Sequence, residues 1–164
     1  MVEMVDIIRK LENSLKQLDV PQKSICDIML AQLRDTNNKL YSKQSDLITD
    51  NKYIELFIAH NNDHDTNFTI ILFKNYIELS CAGFTFQFDY ETEVFKEYFS
   101  SLLRGEYSVI RTSIGAHIIQ DQLIWNQKGL ESKIRKSFLY FLKFFINQKK
   151  VVKKSYQSLS FISN

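Results

Sequence analysis

Between Tyr53 and Phe88 the apolar side chains recur at every second residue, a period that a strand can bury on one side and a helix cannot. Tyr53-Ile54-Glu55-Leu56-Phe57-Ile58 and Phe68-Thr69-Ile70-Ile71-Leu72-Phe73 read as strands joined through the polar turn Asn61 to Thr66. Tyr76-Ile77-Glu78-Leu79-Ser80 and Phe84-Thr85-Phe86-Gln87-Phe88 extend the series, with turns near Asn75 and Gly83. Phe84, Phe86 and Phe88 share one face, as expected of an antiparallel meander with a single buried side. Two further strands are expected at Tyr107 to Thr112 and His117 to Trp125, hinged at Ser113-Ile114-Gly115-Ala116.

Helical spacing brackets and interrupts these strands. Met4, Ile8, Leu11, Leu15 and Leu18 form one stripe. Asp19-Val20-Pro21 then breaks the chain and starts a second helix with Ile25, Ile28, Met29 and Leu33 on its apolar side, Pro being tolerated in a first helical turn. Residues 41–51 are polar and read as the one substantial loop. Asp89 is placed to cap a third helix that runs to Arg104, buries Phe95, Tyr98, Phe99 and Leu102, and stops at Gly105. A long C-terminal helix is expected over 130–149, with Leu130, Ile134, Phe138, Phe141, Leu142 and Phe145 on one side. The expected fold is therefore α+β: an antiparallel sheet of five or six strands with an N-terminal helix pair (1–40), a middle helix (89–104) inserted in the sheet region (53–125), and the C-terminal helix, followed by a basic tail (150–164). Phe99 and Phe138 are both expected in the core. No strand–helix–strand rhythm of a parallel sheet and no internal repeat is present.

Length and composition bound the rest. The chain has 164 residues, 45% of them hydrophobic, enough for one domain with a sizeable core. Four glycines and one proline leave little material for linkers. Charged residues interrupt the first twenty positions, so no signal peptide is expected there, and the run Phe138 to Leu142 stops at Lys143, far short of a membrane span. Cys26 and Cys81 lack metal-knuckle spacing and read as buried thiols of a cytoplasmic protein. The net charge of +2 hides a division: residues 128–164 hold nine Lys or Arg against Glu131 alone, net +8, and the remainder sums to −6.

Little of this sequence reads as catalytic. Gly-rich phosphate loops and nucleophile elbows are absent from it, no cofactor is implied, and the chain is expected not to be an enzyme. His60, Asp63, His64 and Asp65 carry metal-ligand chemistry, but they fall in a turn that favours Asn and Asp for backbone reasons, so no metal is expected. His117 sits in an alternating strand and reads as structural; a pairing with Cys81 would lack an oxyanion hole. Glu91, Glu93 and Glu97 lie along the middle helix, either as a solvated face or as an acidic docking patch. Lys149, Lys150, Lys153 and Lys154, with Tyr156 and Phe161 following, form a basic patch that could meet phosphates, although no nucleic-acid-binding motif accompanies it.

From Tyr76 to Trp125, the run through Gly83-Phe84-Thr85-Phe86, the acidic helix, Leu102-Leu103-Arg104-Gly105-Glu106-Tyr107, Gly115 and Leu123-Ile124-Trp125 resembles small bacterial immunity proteins of polymorphic or contact-dependent toxin systems. The resemblance covers about a third of the chain. It implies direct binding of a cognate toxin domain and carries no defined functional residues. The order of elements also resembles secretion chaperones that bind effectors as homodimers, from which the basic C-terminus departs. For an immunity protein facing a basic, nuclease-type site, the expected partner-binding groups are Asp63, Asp65, Glu91, Glu93 and Glu97, with Tyr90 or Trp125 as aromatic anchor. The alternatives are an effector chaperone or adaptor, or a nucleic-acid binder using the C-terminal lysines. No membrane contact is expected.

Overall fold

The computed structural model describes residues 4–36, 40–50, 53–61, 66–144 and 151–162, and the chain divides into two compact units. The first comprises residues 1–105 and 159–164, the second 106–158. The fold is α+β with antiparallel sheets.

In the first unit, α1 (Met4–Ser14) and α2 (Val20–Arg34) precede a five-stranded meander: β1 (Asp46–Thr49), β2 (Tyr53–Ile58), β3 (Phe68–Phe73), β4 (Ile77–Cys81) and β5 (Phe84–Phe88). Asp19 caps α2 by accepting the Gln22 N–H at 3.1 Å, and Pro21 occupies its first turn. Neighbouring strands align Leu56, Ile70, Leu79 and Phe86 in one transverse row and Ile58, Phe68, Cys81 and Phe84 in the next. All of these are buried. The β4–β5 connection is a two-residue turn with Ala82 and Gly83 both at positive φ, the geometry that matches strand twist in a tight hairpin.

α3 (Thr92–Leu103) covers the inner face of this sheet. Its Tyr98 ring lies 5.5 Å from Phe86 and 4.7 Å from Phe88, and Phe99 meets Phe68 edge-on at 6.1 Å. The helices α1 and α2 pack together, α2 against α3 and α1 against β1. Lys10 of α1 bonds Asp46 of β1 at 3.0 Å, and that bond holds the Asp46 carboxyl below its ordinary range. α3 starts later than the Asp89 cap implied: Glu91 is the extended residue before it, and its carbonyl accepts the Phe95 N–H at 3.0 Å. β1 stands where a loop was expected, an edge strand in which only Leu47 is buried.

In the second unit, β6 (Tyr107–Ile114) and β7 (His117–Trp125) sit centrally in a separate four-stranded sheet of order β8-β7-β6-β9. The long C-terminal helix is not formed. Lys133–Lys136 is the strand β8, paired with β7, and Phe138–Phe144 is a 3₁₀ run. Val151–Gln157, placed in a basic tail by the sequence, is the edge strand β9 on β6. Strand pairing wins at β8 because it satisfies the backbone and brings Arg135 to the buried Asp121 carboxylate at 2.8 Å. Consequently Phe138 is 86% exposed, not core. No helix among the described residues is long and apolar enough to cross a membrane.

Candidate interaction surfaces

The alternation that buries one face of the five-stranded sheet fixes what the other face presents. Ile48, Glu55, Ile71, Glu78 and Gln87 form a single row across all five strands. Tyr53 and Phe73 pair beside that row, their centroids 6.1 Å apart, and Tyr76 stacks on Phe73 at 4.7 Å. Phe57, Thr69, Ser80 and Thr85 form the next row on the same side. Ile48 is exposed, and Tyr53, Glu55, Phe57, Ile71, Phe73 and Glu78 are half-buried. Gln87 donates to Glu78 at 3.2 Å, and the Ser80 and Thr85 hydroxyls bond each other at 2.9 Å. This face is aromatic and aliphatic, carries Glu55 and Glu78 with Asp46 at its edge, and has a small polar margin. Reading the strands for their buried residues alone passes it over, although the same alternation encodes it.

Glu93 and Glu97 are exposed on the side of α3 turned away from the sheet, and Glu91 is exposed just ahead of the helix. Lys96 lies 3.9 Å from Glu93, a solvent-facing pair of little energetic weight. Because α3 lies on the inner face, these carboxylates and the open sheet face point in opposite directions. Tyr90 is half-buried, and its hydroxyl donates to the Phe73 carbonyl. Trp125 belongs to the second unit, is 5% exposed, and donates its indole N–H to the Glu131 carbonyl at 3.0 Å. Its ring is part of the interior and not displayed as an anchor. Asp63, Asp65 and His64, with Lys149 and Lys150, lie outside the described residues.

His60 is buried, donates its backbone N–H to Asn67 Oδ1 at 3.0 Å, and sets its ring edge-on to Phe161 at 4.9 Å. That is a core position in an aromatic cluster. His117 is exposed at the start of β7. Among the described residues, no group of three or more His, Cys, Asp or Glu stands close enough to hold a metal ion.

Burial pushes the Cys26 and Cys81 thiols up to about 12 from an ordinary 9.0, so both remain protonated at neutral pH and neither is a competent thiolate. Ellman's reagent at about pH 8 should leave both untouched in the native protein and titrate both after denaturation; rapid labelling of the native protein would contradict this. The same shifts act on stability. A folded-state value above the unfolded one gives a contribution fully present below pH 9, lost as pH rises from 9 through about 12. Tyr90, raised by burial from 10.0 to about 12, adds to the loss in the upper part of that window. The urea midpoint should therefore fall steadily above pH 9.

In the second unit, residues 106–158 hold ten Lys or Arg against three Asp or Glu, net +7, and the first unit is net −5. Asp121 is 3% exposed and accepts from Arg111 Nε at 3.0 Å and Arg135 Nη2 at 2.8 Å. Lys154 stands opposite Arg111 on β9, so Arg135, Asp121, Arg111 and Lys154 form one row across the four strands. Lys153 and Lys154 of the expected basic patch are thus ordered by a strand and brought into register with β6.

Compared with known proteins, the chain matches no family model, no curated sequence and no solved structure.

Proposed function

We propose that this chain is a non-catalytic protein-binding protein that neutralises a cognate toxin domain by direct contact, in the manner of bacterial immunity proteins. The observation that carries the reading is the open face of the five-stranded sheet. Ile71, Phe73, Tyr53 and Phe57 supply the aromatic and aliphatic centre that a protein interface needs. Glu55 and Glu78, set among them, favour a basic partner, and the −5 charge of the unit would steer its approach. The exposed carboxylates of α3 are a second acidic surface for the same class of partner. The protonated, buried thiols are in keeping with a binding role.

Co-expression with a candidate toxin domain, chosen from open reading frames adjacent to this gene, tests the reading by growth rescue and by pull-down. Ile71→Asp should abolish rescue and weaken the complex by at least about thirtyfold, as expected for a central apolar contact of about 2–4 kcal/mol. Glu93→Lys/Glu97→Lys should mainly slow association, and Lys153→Glu/Lys154→Glu should leave the complex intact. If the α3 swap alone destroys binding, the helix is the interface and the sheet face is not. No complex with the wild-type chain would refute the toxin-binding role.

A further inference from the structure

We infer that the four-stranded sheet of the second unit binds single-stranded nucleic acid, independently of the docking face proposed above. The first argument is electrostatic. Ten of the 53 residues in 106–158 are Lys or Arg, and one of the three acids, Asp121, is buried between two of them. A row of three cations and one carboxylate therefore crosses the sheet from Arg135 to Lys154, about 14 Å at ordinary strand spacing. Asp121 fixes the two guanidiniums in that row while leaving it net positive. The side chain of Arg135 is 57% exposed and that of Arg111 34%, and Lys154 is exposed, so the row opens to solvent at its Arg135 and Lys154 ends, while its middle adjoins the buried Val109 and Leu123.

Aromatic rings interleaved with these cations decide between polyanions. Tyr156 projects on the same side as Lys154, and the Arg111 guanidinium sits over its ring at 5.7 Å. Phe138 and Phe141 are also exposed, just beyond β8, and Lys136 lies over the Tyr140 ring at 4.6 Å. Cations that track a backbone beside rings on which bases stack are what an unpaired strand requires. A duplex keeps its bases inside and gains nothing from those rings. An acidic protein partner would favour a contiguous apolar centre, whereas the exposed groups on the side of this row are Arg135, Lys154, Tyr156 and Val152. A groove of about 270 Å³ lined by Ile118, Gln120, Asp121, Arg135, Lys136 and Ser137 offers room for a phosphate and its sugar beside the row.

Fluorescence anisotropy on the full chain, with labelled oligothymidine and oligouridine of about twelve nucleotides, tests the inference. Affinity should fall log-linearly between about 50 and 200 mM salt with a slope near −0.7 per phosphate engaged. Lys153→Glu/Lys154→Glu should weaken binding at least about tenfold, and Tyr156→Leu about tenfold through lost stacking. Circular dichroism and thermal unfolding should match wild type in both variants, and Glu93→Lys/Glu97→Lys should not weaken binding. Binding of either oligonucleotide supports the proposal, the tighter one naming the sugar. No binding at low salt would overturn it. Equal binding of duplex DNA, polyglutamate or anionic vesicles with no response to Tyr156→Leu would also overturn it, leaving only a general polyanion surface.

Discussion

Phe99→Ala is expected to destabilise the protein by about 3–5 kcal/mol, the cost of a large cavity at a site that cannot collapse around it. Phe99 is fully buried, stacks on Phe95 at 5.6 Å and meets Phe68 edge-on at 6.1 Å. It therefore joins the helix layer to the inner face of the five-stranded sheet, and its removal opens both. Phe138→Ala is the matched comparison: the same deletion at a ring 86% exposed should change stability by less than about 0.5 kcal/mol. Urea unfolding of the two variants measures the difference directly. A Phe99→Ala loss below about 1 kcal/mol would mean that α3 does not pack on this sheet as described.

The helix α3 and the strands β2 to β7 were legible in the sequence because one interaction dominates each of them: an apolar stripe against a common core. Where the apolar signal is thin, legibility fails. β1 buries only Leu47, so nothing separates its sequence from a polar loop, and its placement depends on pairing with β2. The C-terminal region misleads for the opposite reason. Leu130, Ile134, Phe138 and Phe141 recur at helical spacing, yet tertiary pairing with β7 outweighs that local preference. A contrary signal was present: Lys133, Arg135 and Lys136 would have crowded the positive end of the expected helix. Val151-Val152 ahead of Tyr156 likewise favours a strand.

The candidate surfaces divide along similar lines. The exposed carboxylates of α3 follow from helical periodicity alone. The row from Arg135 to Lys154 does not, because it exists only once four strands distant in sequence acquire a register. The open face of the first sheet is intermediate. Its residues are the complement of the buried set, but whether helices cover one side or both depends on how α1, α2 and α3 pack. The present arrangement puts α3 on the side of Phe68 and Phe86 and so leaves Ile71 and Phe73 on the other.

Phe161→Ala should also cost about 3–5 kcal/mol, and ending the chain after Ser158 should cost at least as much. Phe161, the fourth residue from the end of the 164-residue sequence, is fully buried, stacked on Tyr41 at 4.8 Å and set edge-on to Phe68 at 5.8 Å. Its N–H donates to the Leu103 carbonyl at 2.7 Å, and the Leu159 N–H donates to Thr66 Oγ1 at 3.2 Å. The chain thus leaves the first unit after Gly105, re-enters it at Leu159, and closes it with one aromatic plug. Gly105 sits at that crossing with φ +65, and a Cβ there would lie 2.6 Å from the Leu159 backbone. No side chain fits that approach, so Gly105→Ala must displace the returning Leu159–Ser160 backbone and should lose at least about 2 kcal/mol. Urea denaturation of the three variants, read by circular dichroism, checks the clasp. If truncation after Ser158 leaves the midpoint unchanged, the C-terminal residues contribute nothing to the core and the assignment of Phe161 is wrong.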